Sequence, residues 1–416
     1  MDLIFIIHKV FRIHQKQLKR MDKNPREKLY TKIGKRSYFL VLALTFIVNF
    51  DSTVAIPIIS NYAVDLGASV ILASIIVGAY SMTHIPANII AGRLVDKIGR
   101  KTLIAIGIVL DGFSILLYSL AQDPYFLLFA RIIHGLGGGF GGPGTMAYLS
   151  DATPKEKSGR GMALYGISFG IALLFGFMIG GMGAQELGYK NLFFIIAMVL
   201  FVMAISSLLL PKIYQPIKEK LSIKEEIANF KQIIFSKKNL PPYLSILALN
   251  FNLGIITATY SILLKDSSYT DGQIGMIFSI LVFLSILVHY PSGLLSDRTG
   301  KSRIMTYGLI FVSFSFFVLI FSTSSPFPIL GMIIFGIGHG MIFPTSAGII
   351  RNNTSESNRG IATGTFYALV VAGIAIGAPI SGLFFDLWGS QAMILLGIIV
   401  PSFVALILFF LTRKHN

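Results

Sequence analysis

Hydrophobic positions along this chain come in long, nearly unbroken runs. They show neither the strict alternation of half-buried strands nor the one-sided stripe of surface helices. A helix of about 20 apolar residues crosses the hydrocarbon core of a bilayer. Runs of that size are predicted near 38–62, 69–92, 102–121, 125–149, 160–184 and 190–210, and again near 242–264, 272–295, 304–323, 327–350, 360–385 and 390–411. Numbered in this order they are spans 1 to 12 of an all-α membrane protein.

Composition agrees with that reading. Only 13% of residues are charged and 54% are hydrophobic, whereas soluble domains carry about 25% charged residues. The chain has no cysteine, which excludes disulfides, iron–sulfur clusters and thiolate zinc sites. No metal site or other cofactor is indicated.

A net charge of +16 raises the question of nucleic acid, and the placement of the charge answers it. Of the 35 Lys and Arg residues, 32 fall in the N-terminal tail, after spans 2, 4, 8 and 10, between the halves, or at the C-terminus. Lys190 and Lys265 are on the opposite side and Arg131 is inside a span. The positive-inside rule then places both termini in the cytoplasm, and the lipid bilayer, not nucleic acid, is the partner of the basic residues. The organisation expected is a basic tail over 1–37, a six-helix bundle over 38–210, a connector over 211–241 and a second bundle over 242–412. The tail reads as a solvated segment or as an amphipathic one lying on an anionic leaflet. Within the connector, Ser222 and Glu225 form a capping-box pattern that opens a surface helix.

The two bundles are copies. At an offset of 201 residues GRLVDKIGRK, Gly92 to Lys101, aligns with GLLSDRTGKS, Gly293 to Ser302. In the same register Gly107 meets Gly308, and GLGGGFGGP, Gly135 to Pro143, meets GIGHGMIFP, Gly336 to Pro344. Each half has an even number of spans, so the halves are parallel repeats about an axis along the membrane normal. Two such bundles can rock about a site between them.

These residues resemble the major facilitator superfamily across spans 1 to 12. GRLVDKIGRK is similar to that family's loop between helices 2 and 3, and GLLSDRTGKS to its second copy. The resemblance implies a two-bundle fold and a gating role for Gly92, Asp96, Gly99, Arg100 and Lys101, with Gly293, Asp297 and Gly300 in the copy. Asp96 is then a latch that holds the cytoplasmic side shut, attracted by the helix N-terminus near Gly360. A glycine at 92 lets helices approach. The plainer reading, positive-inside anchoring, accounts for Arg93, Lys97 and Lys101 but not for Gly92, Asp96 and Gly99.

A charge at the bilayer centre costs at least about 2.5 to 3.5 kcal/mol, so each intramembrane ionisable group is a candidate for function. They are Asp51, His84, Asp111, Arg131, His134, His289 and His339. The family lines its cavity with helices 1, 4, 7 and 10, which implies substrate or proton contact for Asp51, Arg131, His134 and His339. Arg131 followed by Gly135 resembles the family's helix 4 motif, linked to proton coupling. Arg131 pairs either with Asp51 or with Asp111, which is at comparable depth. At the 201 offset Asp51 faces Asn252 and Arg131 faces Met332, so the scaffold repeats but the charges do not. Coupling is expected in the first half, with Asn250, Asn252, Tyr260 and His339 of the second half joining His134 in substrate contacts. The glycine stripe Gly135, Gly138 and Gly142 reads as close helix packing.

The function expected is secondary active transport of a small organic solute by a chain acting as a monomer in the plasma membrane. Proton-coupled efflux of amphipathic or cationic compounds fits one cavity acid and few other charges, and the chain is closest in feel to the drug–proton antiporter branch. Proton-coupled uptake and, more remotely, a non-transporting receptor are the alternatives. No nucleophile, base and metal constellation supports an enzyme.

Overall fold

The computed structural model describes residues 34–153, 157–213, 236, 238–322, 324–354 and 359–413. The basic tail over 1–33 and the expected connector helix at Ser222 to Glu225 lie outside them. Span 1 is Lys35–Ala55 with a short continuation Ile59–Asp65. Spans 2 to 6 are Val70–Ile98, Arg100–Leu120, Pro124–Ala152, Ser158–Leu187 and Tyr189–Ser207. Span 7 is Leu240–Ile255, a π-helical turn Ile256–Tyr260, and Ser261–Asp266. Spans 8 to 12 are Asp271–Thr299, Lys301–Leu319, Phe327–Asn352, Arg359–Trp388 and Ser390–Arg413. Among the described residues no strand occurs. Eleven of these segments are long and apolar enough to cross a membrane. Span 4 is the twelfth, 29 residues long, with glycines, Arg131 and His134 diluting its hydropathy.

Spans 2 and 8 run past the predicted apolar edges because the charged motifs are helical almost to their ends. The chain turns only at Gly99 and Gly300, with φ of 87° and 100°. Those left-handed values favour glycine at both copies. Elsewhere, side-chain caps start helices: Asp123 accepts from the backbone N–H of Tyr125 and Phe126 at 2.9 Å each, and Thr270 with Gln273 forms a capping box on span 8.

Each half packs around a core drawn mainly from its own spans, the first joined by Ala258, Ile262 and Ala378 of the second half and the second by Phe177 of the first. The duplicated glycines explain the tightest crossings. A methyl group on Gly107 would lie 2.7 Å from the Cα of Gly141, and one on Gly308 would lie 2.6 Å from Ile342. Spans 3 and 4 therefore meet backbone to backbone, and spans 9 and 10 repeat the crossing.

Among the described residues the halves touch mainly on one side. Call the side of Gly99 and Gly300 the basic side and the other the far side. On the far side Ser261 donates to the carbonyl of Pro57 at 2.8 Å, Asn61 to Ser261 Oγ at 3.2 Å, and Asp386 accepts from the Ile71 N–H at 3.2 Å. There too a methyl on Gly181 would meet the Gly275 Cα at 2.8 Å. Toward the basic side, Gly92, Gly166, Gly293 and Gly364 face open space. The two bundles thus form a cleft closed at the far side and open at the basic side.

Candidate functional site

Span 4 builds the polar centre. Its small residues let neighbouring helices close in: a side chain on Gly137 would strike Asp111 of span 3, and one on Gly135 or Gly138 would strike Tyr80 or Thr83 of span 2. Gly142, expected in the same packing stripe, faces open space instead. Asp51, Asp111, Arg131 and His134 all end buried, between 0% and 3% exposed.

The expected ion pair between Arg131 and Asp51 or Asp111 is not formed. His134 is the bridging group. Its Nε2 is 3.3 Å from Asp51 Oδ2 and 4.0 Å from Asp111 Oδ1. Its Nδ1 is 2.8 Å from the hydroxyl of Tyr118. Arg131 turns the other way: it donates through Nη1 to that hydroxyl at 3.3 Å, and its guanidinium lies 4.8 Å above the ring of Tyr80. The reason is geometric. His134 lies almost one turn beyond Arg131 on span 4, and Tyr118 and Tyr80 occupy the ground between the guanidinium and the acids.

Donor rules give this chain a direction. A guanidinium only donates, so the Tyr118 oxygen accepts from Arg131 and its O–H is free to donate to His134 Nδ1. With Asp51 ionised, the hydrogen sits on Nε2 and is donated to the carboxylate, which leaves Nδ1 to accept from Tyr118. Both oxygens of Asp111 and the Nε of Arg131 have no hydrogen-bond partner. Tyr118, Tyr80 and the bridging role of His134 were not legible in the sequence, because hydropathy gives depth but not which face of a helix meets which neighbour.

One ligand atom each from Asp51, Asp111 and His134 lies within 4.8 Å of the others, a spacing that could hold a metal ion. The guanidinium of Arg131, on the same hydrogen-bonded chain, opposes a cation there.

The substrate residues expected in the second half are placed otherwise. Asn250 donates to the Ile246 carbonyl of its own helix at 2.8 Å, and Asn252 reaches the Gly397 carbonyl of span 12 at 3.1 Å. Tyr260 is fully buried in the second core, at the end of the π-turn. All three are buried, on a helix that packs most heavily against span 11. His339 is different. It is half-buried, 2.7 Å from Ser285 Oγ, and stacks on Phe343 at 5.8 Å between ring centres. Phe343 also lines a cavity of about 420 Å³ with Phe366, Tyr367, Thr363 and Arg351, an aromatic wall that the sequence did not single out.

On the basic side, Arg100 binds Asp151 of its own half at 2.9 Å and Lys101 the Leu208 carbonyl at 2.5 Å. Asp297 is largely exposed, 3.8 Å from Lys301. The side chain of Asp96 lies outside the described residues, as do the flanks of Gly360.

The family model of the Major Facilitator Superfamily matches residues 41–264 and 242–416, nearly the whole chain. This chain belongs to the major facilitator superfamily. Among curated relatives, an MFS-type transporter of Methanocaldococcus jannaschii is 25% identical, covering 86% of this chain and 93% of its own length. The multi-drug resistance efflux pump PmrA of Streptococcus pneumoniae is 26% identical, covering 82% and 88%. The quinolone resistance protein NorA of Staphylococcus aureus is 23% identical, covering 84% and 90%. Among solved structures, a bacterial homologue of the human lysosomal transporter Spinster, inward-facing and unoccupied, superposes with a TM-score of 0.77 at 14% identity, covering 91% of this chain and 98% of its own. The chain is a multi-pass membrane transporter of this superfamily, similar to its drug efflux members, and not an enzyme.

Proposed function

We propose that this transporter exports amphipathic compounds, cations among them, in exchange for protons. The observation that carries the coupling is the charge balance of the buried cluster. Two carboxylates and one guanidinium, none more than 3% exposed, sum to one negative charge when His134 is neutral. An unbalanced charge is costly in a dry interior, and one proton removes it. Asp51, His134 and Tyr118 form a path along which that proton is held, while Asp111, without donors, is a second seat for it.

Efflux is favoured over uptake by likeness to relatives described as drug efflux pumps. The acids are sequestered from the Phe343–Phe366–Tyr367 wall, so a compound there meets aromatic faces, which hold apolar groups by area and cations by their quadrupole. The basic side is the cytoplasm by the positive-inside rule, which makes the present cleft inward-open. Asp96 closes that mouth as a latch when the bundles rock, and one chain holds both halves, so the monomer suffices.

The test is purified protein in proteoliposomes with an imposed pH gradient and a panel of ethidium, tetraphenylphosphonium and norfloxacin. Uphill movement of at least one compound against the proton flow, collapsed by a protonophore and slowed in Asp96→Asn, is expected. Movement indifferent to the gradient would remove the coupling from the account.

A further inference from the structure

We infer that Asp271 is the gating residue of the far side, the carboxylate that ties the two halves together there and whose release opens that mouth. The inference rests on the alternating-access reading above and assigns its second gate.

Asp271 opens span 8 and is almost wholly buried. Its Oδ2 accepts from the hydroxyl of Tyr189 at 2.9 Å and from Lys265 Nζ at 2.7 Å. Its Oδ1 faces Asn61 Nδ2 at 3.5 Å. Tyr189 and Asn61 belong to the first half, Lys265 and Asp271 to the second. One carboxylate therefore gathers donors from spans 1 and 6 across the seam and from span 7 of its own half. Asn61 extends the tie by donating to Ser261, which in turn donates to the Pro57 carbonyl. Neighbouring charge belongs to the same set. Burial pushes the Asp65 carboxyl above its usual range, Lys265 pulls it down and Asp271 pushes it up.

A structural alternative is that Asp271 only starts its helix, since an acid in the first turn meets the positive end of the dipole. Thr270 already caps that end with Gln273. Capping also needs no donor from the opposite half, whereas Tyr189 and Asn61 both come from there. At the 201 offset Asp271 corresponds to Val70 and Lys265 to Val64. The tie is thus absent from the other copy of the scaffold, as the proton cluster is.

Replacing the carboxylate leaves Lys265 and Tyr189 without their shared acceptor and favours the outward-open state. The chain has no cysteine, so single reporters can be read on the unmodified background. Ser74→Cys reports the far side, where Ser74 is buried beside Gly382 of span 11. Thr354→Cys reports the basic-side cavity. With a membrane-impermeant maleimide on protein in nanodiscs, Asp271→Asn should speed labelling at Ser74→Cys about tenfold and slow it at Thr354→Cys, the pattern of a population shift between two states. Tyr189→Phe should move both rates in the same directions by less. A disulfide between Asn61→Cys and Ser261→Cys should stop transport, with reductant restoring it.

An unchanged rate at Ser74→Cys in the Asp271→Asn background would overturn the assignment. Faster labelling at both reporters would overturn it too, because loss of fold exposes both sides together. If labelling shifts as expected but no compound moves, the gate stands and the substrate reading fails. If compounds move and Asp271→Asn leaves both rates untouched, transport stands and this gate fails.

Discussion

Asp51→Asn is expected to abolish accumulation of substrate against its gradient while leaving downhill exchange in place. The substitution removes one of two buried negative charges, so the cluster with Arg131 becomes neutral without a proton. His134 Nε2 keeps an acceptor in the amide oxygen, and the Tyr118 chain survives in the same direction. Only the charge is lost. Proteoliposomes separate the outcomes, since exchange of labelled for unlabelled compound needs no gradient and uphill movement does. A fall of at least about 100-fold in gradient-driven accumulation, equivalent to about 2.7 kcal/mol, with exchange within a few-fold of the parent, is the expected pattern. Retained uphill movement in Asp51→Asn would pass the role to Asp111.

Gly107→Val should prevent recovery of folded protein. A Cβ at position 107 would lie 2.5 Å from the backbone N of Gly141 and 2.7 Å from its Cα, and backbone atoms cannot move aside as a side chain can. The two helices would have to separate, and overpacking of a well-packed crossing costs about 1 to 3 kcal/mol or more. Separation would also pull Gly137 away from Asp111 and loosen the polar cluster. Fluorescence size-exclusion profiles of detergent extracts measure this. Gly92→Ala is the control, because a Cβ added there would meet no described atom within 4 Å. A monodisperse Gly107→Val peak at parental yield would show that spans 3 and 4 do not meet as described.

Much of the scaffold was legible in the sequence for a physical reason. Lipid demands continuous apolar runs, and those appear without any knowledge of packing. The copied glycines were legible as well, and Gly107 with Gly308 shows why: each holds a helix crossing that the duplication preserved. Edges were read short at Ile98 and Thr299, where charged residues on the last turns of a helix look like loop. The π-turn at Ile256–Tyr260 has no hydropathic signature at all.

The site was legible in its membership and not in its wiring. Asp51, Asp111, Arg131 and His134 stand out because ionisable groups are rare in spans. Their partners depend on rotation about helix axes, which a list of intramembrane charges does not contain. That is how Arg131 comes to meet Tyr118 and Tyr80 while His134 takes the acids. The partners of Asn250 and Asn252 were hidden for the same reason. A polar residue in a span must find a partner, but the partner can be a backbone carbonyl in the packing just as well as a substrate. Asp271 was missed because it stands at a span end, where charge is ordinary.

Proton release on substrate binding tests the central claim most directly. Purified protein in weakly buffered detergent, mixed with saturating ethidium and followed by a pH indicator dye, should release up to about one proton per chain, the number that neutralises two carboxylates and one guanidinium. Asp51→Asn/Asp111→Asn should bind the dye and release none. Equal release by the parent and the double variant, or binding by the parent with no release at any pH, would contradict the assignment of coupling to this cluster.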